Sequence, residues 1–166
     1  MERLSQRPLE EQLKKKARTH WIQVFPEDTW REFLDSGGGV TGFREKRWTV
    51  IQNIKVGDLL LCYVSRISCW VGILEVESQP YLDDKRIWKG ELYPCRVDVK
   101  VLASLTPEQG VPIRRLRNRL TIFESRSWGM HFYASPSRFN LKDASVMHKE
   151  IMRSTSPRLV DAPHQS

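Results

Sequence analysis

The feature that most constrains this chain is the run Leu59-Leu60-Leu61-Cys62-Tyr63-Val64, which carries no charged side chain. A strand buried on both faces reads as such a continuous run. The tight turn Lys55-Val56-Gly57-Asp58 feeds it, and Cys69-Trp70-Val71-Gly72-Ile73-Leu74-Glu75-Val76 follows after only Ser65 to Ser68. A connection that short makes the two runs a hairpin. Arg96-Val97-Asp98-Val99-Lys100-Val101 alternates cleanly and predicts a half-exposed strand, as does Trp21-Ile22-Gln23-Val24-Phe25 before Pro26 stops it. Three or four such strands imply a sheet or a barrel.

Helices are expected between and after them. Asp28 offers an N-cap, Trp30, Phe33 and Leu34 follow at helical spacing, and Gly37-Gly38-Gly39 ends the helix and opens a loop. Trp48, Ile51 and Ile54 suggest a short helix or turn. Pro112 to Leu120 predicts a helix with Ile113, Leu116 and Leu120 on one face and Arg114, Arg115, Arg117 and Arg119 around the rest. A closing helix is expected over Leu141 to Met152, with Ala144, Met147, His148 and Ile151 inward. The chain of 166 residues therefore divides into a basic extension over 1–19, one domain over 20–152 and a flexible tail over 153–166.

The net charge of +7 is unevenly placed. Residues 1–19, with the run Lys14-Lys15-Lys16, hold six basic side chains against three acidic, and residues 20–152 hold nineteen against sixteen. A clustered excess attracts polyanions, while a spread one mainly aids solubility, so the mild basicity of the central domain is weak support for a nucleic-acid partner. Cys62, Cys69 and Cys95 are odd in number, lack CxxC spacing and read as reduced core thiols. With no apolar leader and no membrane-length apolar run, a soluble, cytoplasmic protein is expected.

The search for catalytic chemistry finds no constellation. Gly37-Gly38-Gly39 lacks the Gly-Lys-Ser/Thr ending of a phosphate-binding loop, and no Gly-x-Ser-x-Gly elbow exists. His20, His131, His148 and His164 show no metal-site spacing, Asp83-Asp84 reads as a turn, and Cys62 sits in an apolar strand where a thiol is inert. No metal and no cofactor are expected. The six tryptophans are more informative. Trp30 and Trp70 fall on faces expected to be buried. Trp88, after a charged stretch, and Trp128, in Ser125-Arg126-Ser127-Trp128-Gly129-Met130-His131, sit in polar connections beside arginines, where rings can stack on bases and cations can meet phosphates.

Several ordered segments resemble the EVE domain of the PUA-like superfamily, which also holds the YTH readers of methylated adenine. They are Trp21-Ile22-Gln23-Val24, Gly39-Val40-Thr41-Gly42-Phe43-Arg44, Ile54 to Tyr63, Val71 to Val76, Gln79-Pro80-Tyr81-Leu82-Asp83-Asp84 and Tyr93-Pro94-Cys95-Arg96-Val97, continuing through Arg126 to His131. The resemblance implies an α+β, PUA-like curved β-barrel flanked by helices. It also implies a non-catalytic domain that reads a flipped or single-stranded, modified nucleobase of DNA or RNA between aromatic walls. One wall matches Trp88. The other, a Trp in YTH relatives, aligns with Thr41, so Phe43 or Trp48 is the preferred substitute, a smaller ligand or a decayed pocket being the alternatives. Gln23, Thr41, Gly42 and Ser65 are candidates to read the base edge, Trp128 is a further stacking candidate, and Arg44 and Arg126 are candidates for phosphates.

Two other readings stay open. A nucleoside- or nucleic-acid-processing enzyme would draw its acid or base from Glu45, Asp58 or His131. A small-molecule sensor or adaptor would use the basic N-terminal stretch and Arg114 to Arg119 to dock an acidic partner.

Overall fold

The computed structural model describes residues 18–155. The Lys14 to Lys16 run, His164 and the chain beyond residue 155 lie outside the described residues. Eight strands form one sheet: β1 His20–Phe25, β2 Val40–Phe43, β3 Leu59–Val64, β4 Cys69–Val76, β5 Tyr81–Leu82, β6 Cys95–Ser104, β7 Val111–Pro112 and β8 Ser137–Phe139. Their order is β2-β6-β4-β3-β1-β8, with β5 paired to β6 and β7 to β4. β1 runs parallel to β3, while β3 and β4 form the expected antiparallel hairpin, with a bulge between Cys62 and Tyr63. Four helices pack around the sheet: α1 Glu27–Asp35, α2 Trp48–Ile51, α3 Met130–Tyr133 and α4 Leu141–Thr155. The sheet curls, and the fold is the α+β, PUA-like type that the resemblance implied.

The period of a strand explains why Leu59–Val64 is apolar throughout. Leu60, Cys62 and Val64 point into one cluster with Trp21, Trp30 and Phe33. Leu59, Leu61 and Tyr63 point into a second, completed by Trp70, Leu116 and the α4 residues Ala144, Met147 and Ile151. Both faces of β3 are thus covered, one by α1 and the other by α4. All three cysteines are buried and free.

The local expectations are corrected at five places. Pro26, not Asp28, occupies the N-cap of α1, so the carboxylates of Glu27 and Asp28 lie in the first turn, where they favour the positive end of the helix dipole. The Gly37 and Gly38 stop holds, with φ of 98° and 68°. Pro112 to Leu120 is not an α-helix. Only Ile113–Leu116 forms a 3-10 turn, because Ile113 N is held by Ser68 O at 2.9 Å and the chain is drawn away at Thr121 and Ile122, whose amides donate to the Asp143 carboxylate at 2.7 and 2.9 Å. The expected loop after the first helix contains β2, which pairs with β6. The polar connection around Trp128 continues into α3. Finally, α4 runs three residues beyond Met152, its end tied by Ser154 Oγ to Glu150 O at 2.9 Å.

Candidate functional site

Gln23 lies on the same side of β1 as Trp21 and Phe25, so its amide points into the curl of the sheet. Its Nε2 donates to Thr41 Oγ1 at 2.7 Å and to Gly42 O at 3.3 Å, leaving Oε1 buried without a partner. Thr41 is buried because its short side chain closes this contact between β1 and β2. Gly42 follows at a point of close approach. A Cβ there would stand 2.6 Å from Tyr93 O and 2.9 Å from the Trp88 ring, so only glycine lets the connection after β5 come this near.

Trp88 is 2% exposed, which corrects its expected place outside the core. Arg96, itself fully buried, holds the connection that carries it. Its guanidinium lies 5.3 Å from the Trp88 ring centroid and pairs with Asp83 at 3.1 Å. It also donates to the carbonyls of Tyr93, Leu92 and Lys85. Tyr93 turns back at φ 45° and meets Trp88 edge-on at 5.9 Å. The Trp88 Nε1 is buried and has no hydrogen-bond partner. Gln23, Thr41, Gly42, Trp88 and Tyr93 together line a small recess of about 10 Å³, room for about one water-sized molecule.

A cleft of about 270 Å³ adjoins that recess, sharing Val24, Pro26, Gly42 and Tyr93 with it. Tyr93 forms one side of the cleft, and Phe132 and Tyr133 of α3 form another. Arg44, Lys46 and Arg47 bring three cations to the rim, and Ser65 and Ser135 bring hydroxyls. The α3 side is fixed to β1. Val24 N donates to Ser135 Oγ at 3.0 Å, and Arg47 donates to Pro136 O at 2.9 Å. Phe132 packs against Tyr63 with centroids 4.4 Å apart, whereas Tyr133 is 86% exposed at the mouth. Arg44 makes a two-bond ion pair with Glu91, at 2.9 and 3.0 Å, which raises the Arg44 pKa through the hydrogen bond first and the charge second. Burial, then the Glu91 charge, raises the Tyr93 pKa, keeping its phenol protonated.

The remaining candidates scatter. Phe43 lines the cleft but is only 3% exposed. Trp48 lines a different groove with Ile54, Val56 and Pro80 and does not line the recess beside Trp88. Trp128 packs edge-on against Phe123 and Phe132, at 4.9 and 5.9 Å, in the cluster under α4. Arg126 is exposed and forms no ion pair among the described residues. Asp58 is a structural acceptor, taking hydrogen bonds from Thr19 N, Trp21 Nε1 and Lys55 N at 2.9 to 3.0 Å. Glu45 is exposed in the turn before α2, and neither it nor Asp58 or His131 lines the cleft. Among the described residues no three His, Cys, Asp or Glu side chains gather to hold a metal, and no helix is long and apolar enough to cross a membrane.

Sequence reasoning assigned no role to Tyr93, Phe132 and Tyr133. Tyr93 opens the EVE-like segment Tyr93 to Val97, but its place depends on a backbone reversal and on Arg96. Phe132 and Tyr133 followed a stretch read as loop, and only the contacts of α3 with β1 bring them to the cleft.

A curled sheet with α1 and α4 on its two faces and a cleft where β1 meets β2 is the PUA-like fold, which YTH domains share. Within that class the chain belongs to the EVE domain family, whose model matches residues 11–147. A UPF0310 protein of Pyrococcus horikoshii is 29% identical over 135 residues, covering 72% of this chain and 89% of the relative. A solved protein of Leishmania major superposes with a TM-score of 0.62 at 15% identity, covering 84% of this chain and 98% of its own. The YTH domain of a Zygosaccharomyces rouxii protein, solved in complex with N6-methyladenosine RNA, has a TM-score of 0.59 at 15% identity and covers 81% and 87%.

Proposed function

We propose that this domain is a non-catalytic nucleic-acid reader whose cleft receives one nucleobase, preferentially a modified one, from a single strand. The observation that carries the reading is the pairing of two unsatisfied buried atoms at one recess: the acceptor Gln23 Oε1 and the donor Trp88 Nε1. Each such atom costs about 1–3 kcal/mol when buried without a partner. A base in the adjoining cleft stands beside this recess, and one water in the recess, which has room for it, relays hydrogen bonds between the base edge and both atoms. The size of the cleft suits a ligand of that kind, lying just under the range of about 300–1,000 Å³ typical of small-molecule sites.

Tyr93 on one side and Phe132 with Tyr133 on the other supply the aromatic faces, so the wall absent at Thr41 is replaced from α3 and not from Trp48. Stacking of this sort contributes about 1–3 kcal/mol per base. Lys46 at the rim, exposed and without an acidic partner among the described residues, suits a flanking phosphate, and Arg44 reaches one by leaving Glu91. The YTH relative bound to N6-methyladenosine RNA supports the same class of ligand.

The test is a panel of RNA and DNA oligonucleotides, unmodified and carrying methylated or hydroxymethylated bases, titrated at low salt by fluorescence anisotropy. Binding is expected for a subset of modified strands. It should weaken at least tenfold in Tyr93→Ala and in Gln23→Leu, each checked for retained fold by circular dichroism. Uniform absence of binding, or binding indifferent to both substitutions, overturns the proposal.

A further inference from the structure

We infer that the domain carries a second, backbone-reading surface: Arg66, Arg114, Arg115 and Arg117 continue the cationic rim of the cleft and hold the phosphates of the strand beyond the inserted base. The inference rests on the base-cleft reading and extends it to the length and path of the bound strand. From Ile113 to Arg126 the chain carries five arginines against one acidic residue, Glu124. Had this segment formed the expected helix, its arginines would have been spread around an axis. The 3-10 turn instead anchors Ile113 and Leu116 in the core and leaves Arg114, Arg115 and Arg117 exposed.

Their charge is uncompensated. Arg119 pairs with Glu150 at 2.6 Å, but Arg66, Arg114, Arg115 and Arg117 have no acidic partner among the described residues. Unpaired, exposed guanidiniums in a cluster are suited to phosphate, since Arg presents a planar fork of donors and is weakly hydrated. Elsewhere on the surface, by contrast, arginines are matched by carboxylates: Arg31 by Glu27 and Glu108, and Arg44 by Glu91.

The path is continuous with the cleft. Ser65 lines the cleft, the Ser65 to Ser68 turn carries Arg66, and Ser68 O accepts from Ile113 N at 2.9 Å. Cys69 of β4 pairs with Pro112 of β7, and Arg115 and Arg114 lie near enough to Cys69 to oppose the rise that burial imposes on its thiol pKa. From the end of β3 across β4 to β7 is two strand spacings, about 10 Å. That distance corresponds to about three stacked nucleotides at about 3.4 Å each. A strand whose base occupies the cleft therefore reaches the arginines within a few nucleotides. An acidic protein segment would gain nothing from that continuity, so a nucleic-acid backbone is the partner the placement favours.

The experiment compares a trinucleotide, followed by NMR, with a nonanucleotide, followed by anisotropy across a salt series, each as RNA and as DNA bearing the base that binds best. The exposed triple variant Arg114→Gln/Arg115→Gln/Arg117→Gln should bind the trinucleotide as the unaltered protein does. It should lose the added affinity of the nonanucleotide, and its slope of log K against log salt should become shallower by about 2, as expected for three phosphate contacts on a single strand. A control that removes as many exposed charges elsewhere, Lys100→Gln/Lys142→Gln/Lys149→Gln, should leave the slope unchanged. An unchanged nonanucleotide affinity and slope in the triple variant overturns the inference while the cleft reading stands. An equal loss in the control also overturns it, by showing a generic charge effect. If neither oligonucleotide binds the unaltered protein, both readings fall.

Discussion

Gln23 Nε2 donates to Thr41 Oγ1 at 2.7 Å, joining β1 to β2, two strands that stand four steps apart along the sheet. The bond spans the gap left by the curl, and it aims the other end of the amide, Oε1, away from the bonded side. A tryptophan at position 41 would occupy the space in which this contact forms. The threonine is therefore part of how the amide of Gln23 is oriented, and the aromatic wall is supplied by a different element.

Thr41→Val keeps the shape of the buried side chain and removes the acceptor, so Gln23 Nε2 retains only the longer contact to Gly42 O. A loss of about 1–2 kcal/mol is expected, read as a lower midpoint in urea with an unchanged slope. Oligonucleotide affinity should fall further than in a stability-matched core variant such as Ile73→Val, because the amide is freed to rotate. Equal affinity in the two variants would show that the orientation of Gln23 is irrelevant to binding.

Gly42→Ala tests the close approach of the Trp88 connection. Its methyl would meet Tyr93 O at 2.6 Å, a backbone atom fixed by Arg96 Nε at 3.2 Å. Relief requires the connection to move outward. A cost of about 1–3 kcal/mol is expected for the overpacking, together with a chemical-shift change at the Trp88 indole and loss of binding. Unaltered Trp88 resonances would show that the strain is absorbed elsewhere.

How much of this was legible in the sequence follows from which forces are local. β1, β3, β4 and β6 were readable because period and burial are written in consecutive residues. β2 and β8 were not. Val40-Thr41-Gly42-Phe43 includes a glycine that suits a loop as well as a strand, and Ser137-Arg138-Phe139 is too short to show a period. Pro112 to Leu120 has the apolar spacing of a helix, and only the distant captures by Ser68 and Asp143 unmake it. In the site, Gln23, Gly42 and Trp88 were named and do meet. Tyr93 was overlooked because its position depends on contacts from Arg96 that no local pattern encodes.

Asp58, one of the acids an enzymatic reading would draw on, is expected to act on stability. It accepts hydrogen bonds from Thr19 N, Trp21 Nε1 and Lys55 N and is 4% exposed. Asp58→Ala strands three donors around the start of β3 and should cost about 2–4 kcal/mol. Asp58→Asn, which keeps one acceptor oxygen, should cost less. If Asp58→Ala retains full thermal stability, the carboxylate is not the tie described.

Two partly buried histidines make the fold sensitive to acid. Burial lowers the pKa of His20 and His148 below the ordinary value of 6.5, and Arg18 lowers both further. The two rings also repel each other when charged, since His148 acts on His20 in the same direction. Asp58 opposes the shift at His20, but it is the smallest influence there and is engaged by three other donors. The folded chain thus holds these rings neutral, while the unfolded chain takes up protons at the ordinary value. Protonation linkage then fixes the sign: where the unfolded state binds more protons, stability rises with pH. The contribution is complete above about 6.5 and is lost as pH falls from there through the lowered folded values. Urea midpoints measured between neutral and mildly acidic pH should therefore decline, and the decline should be shallower in His148→Gln, which removes one titrating ring and relieves the other. A steeper or unchanged decline in that variant would place the acid sensitivity elsewhere in the molecule.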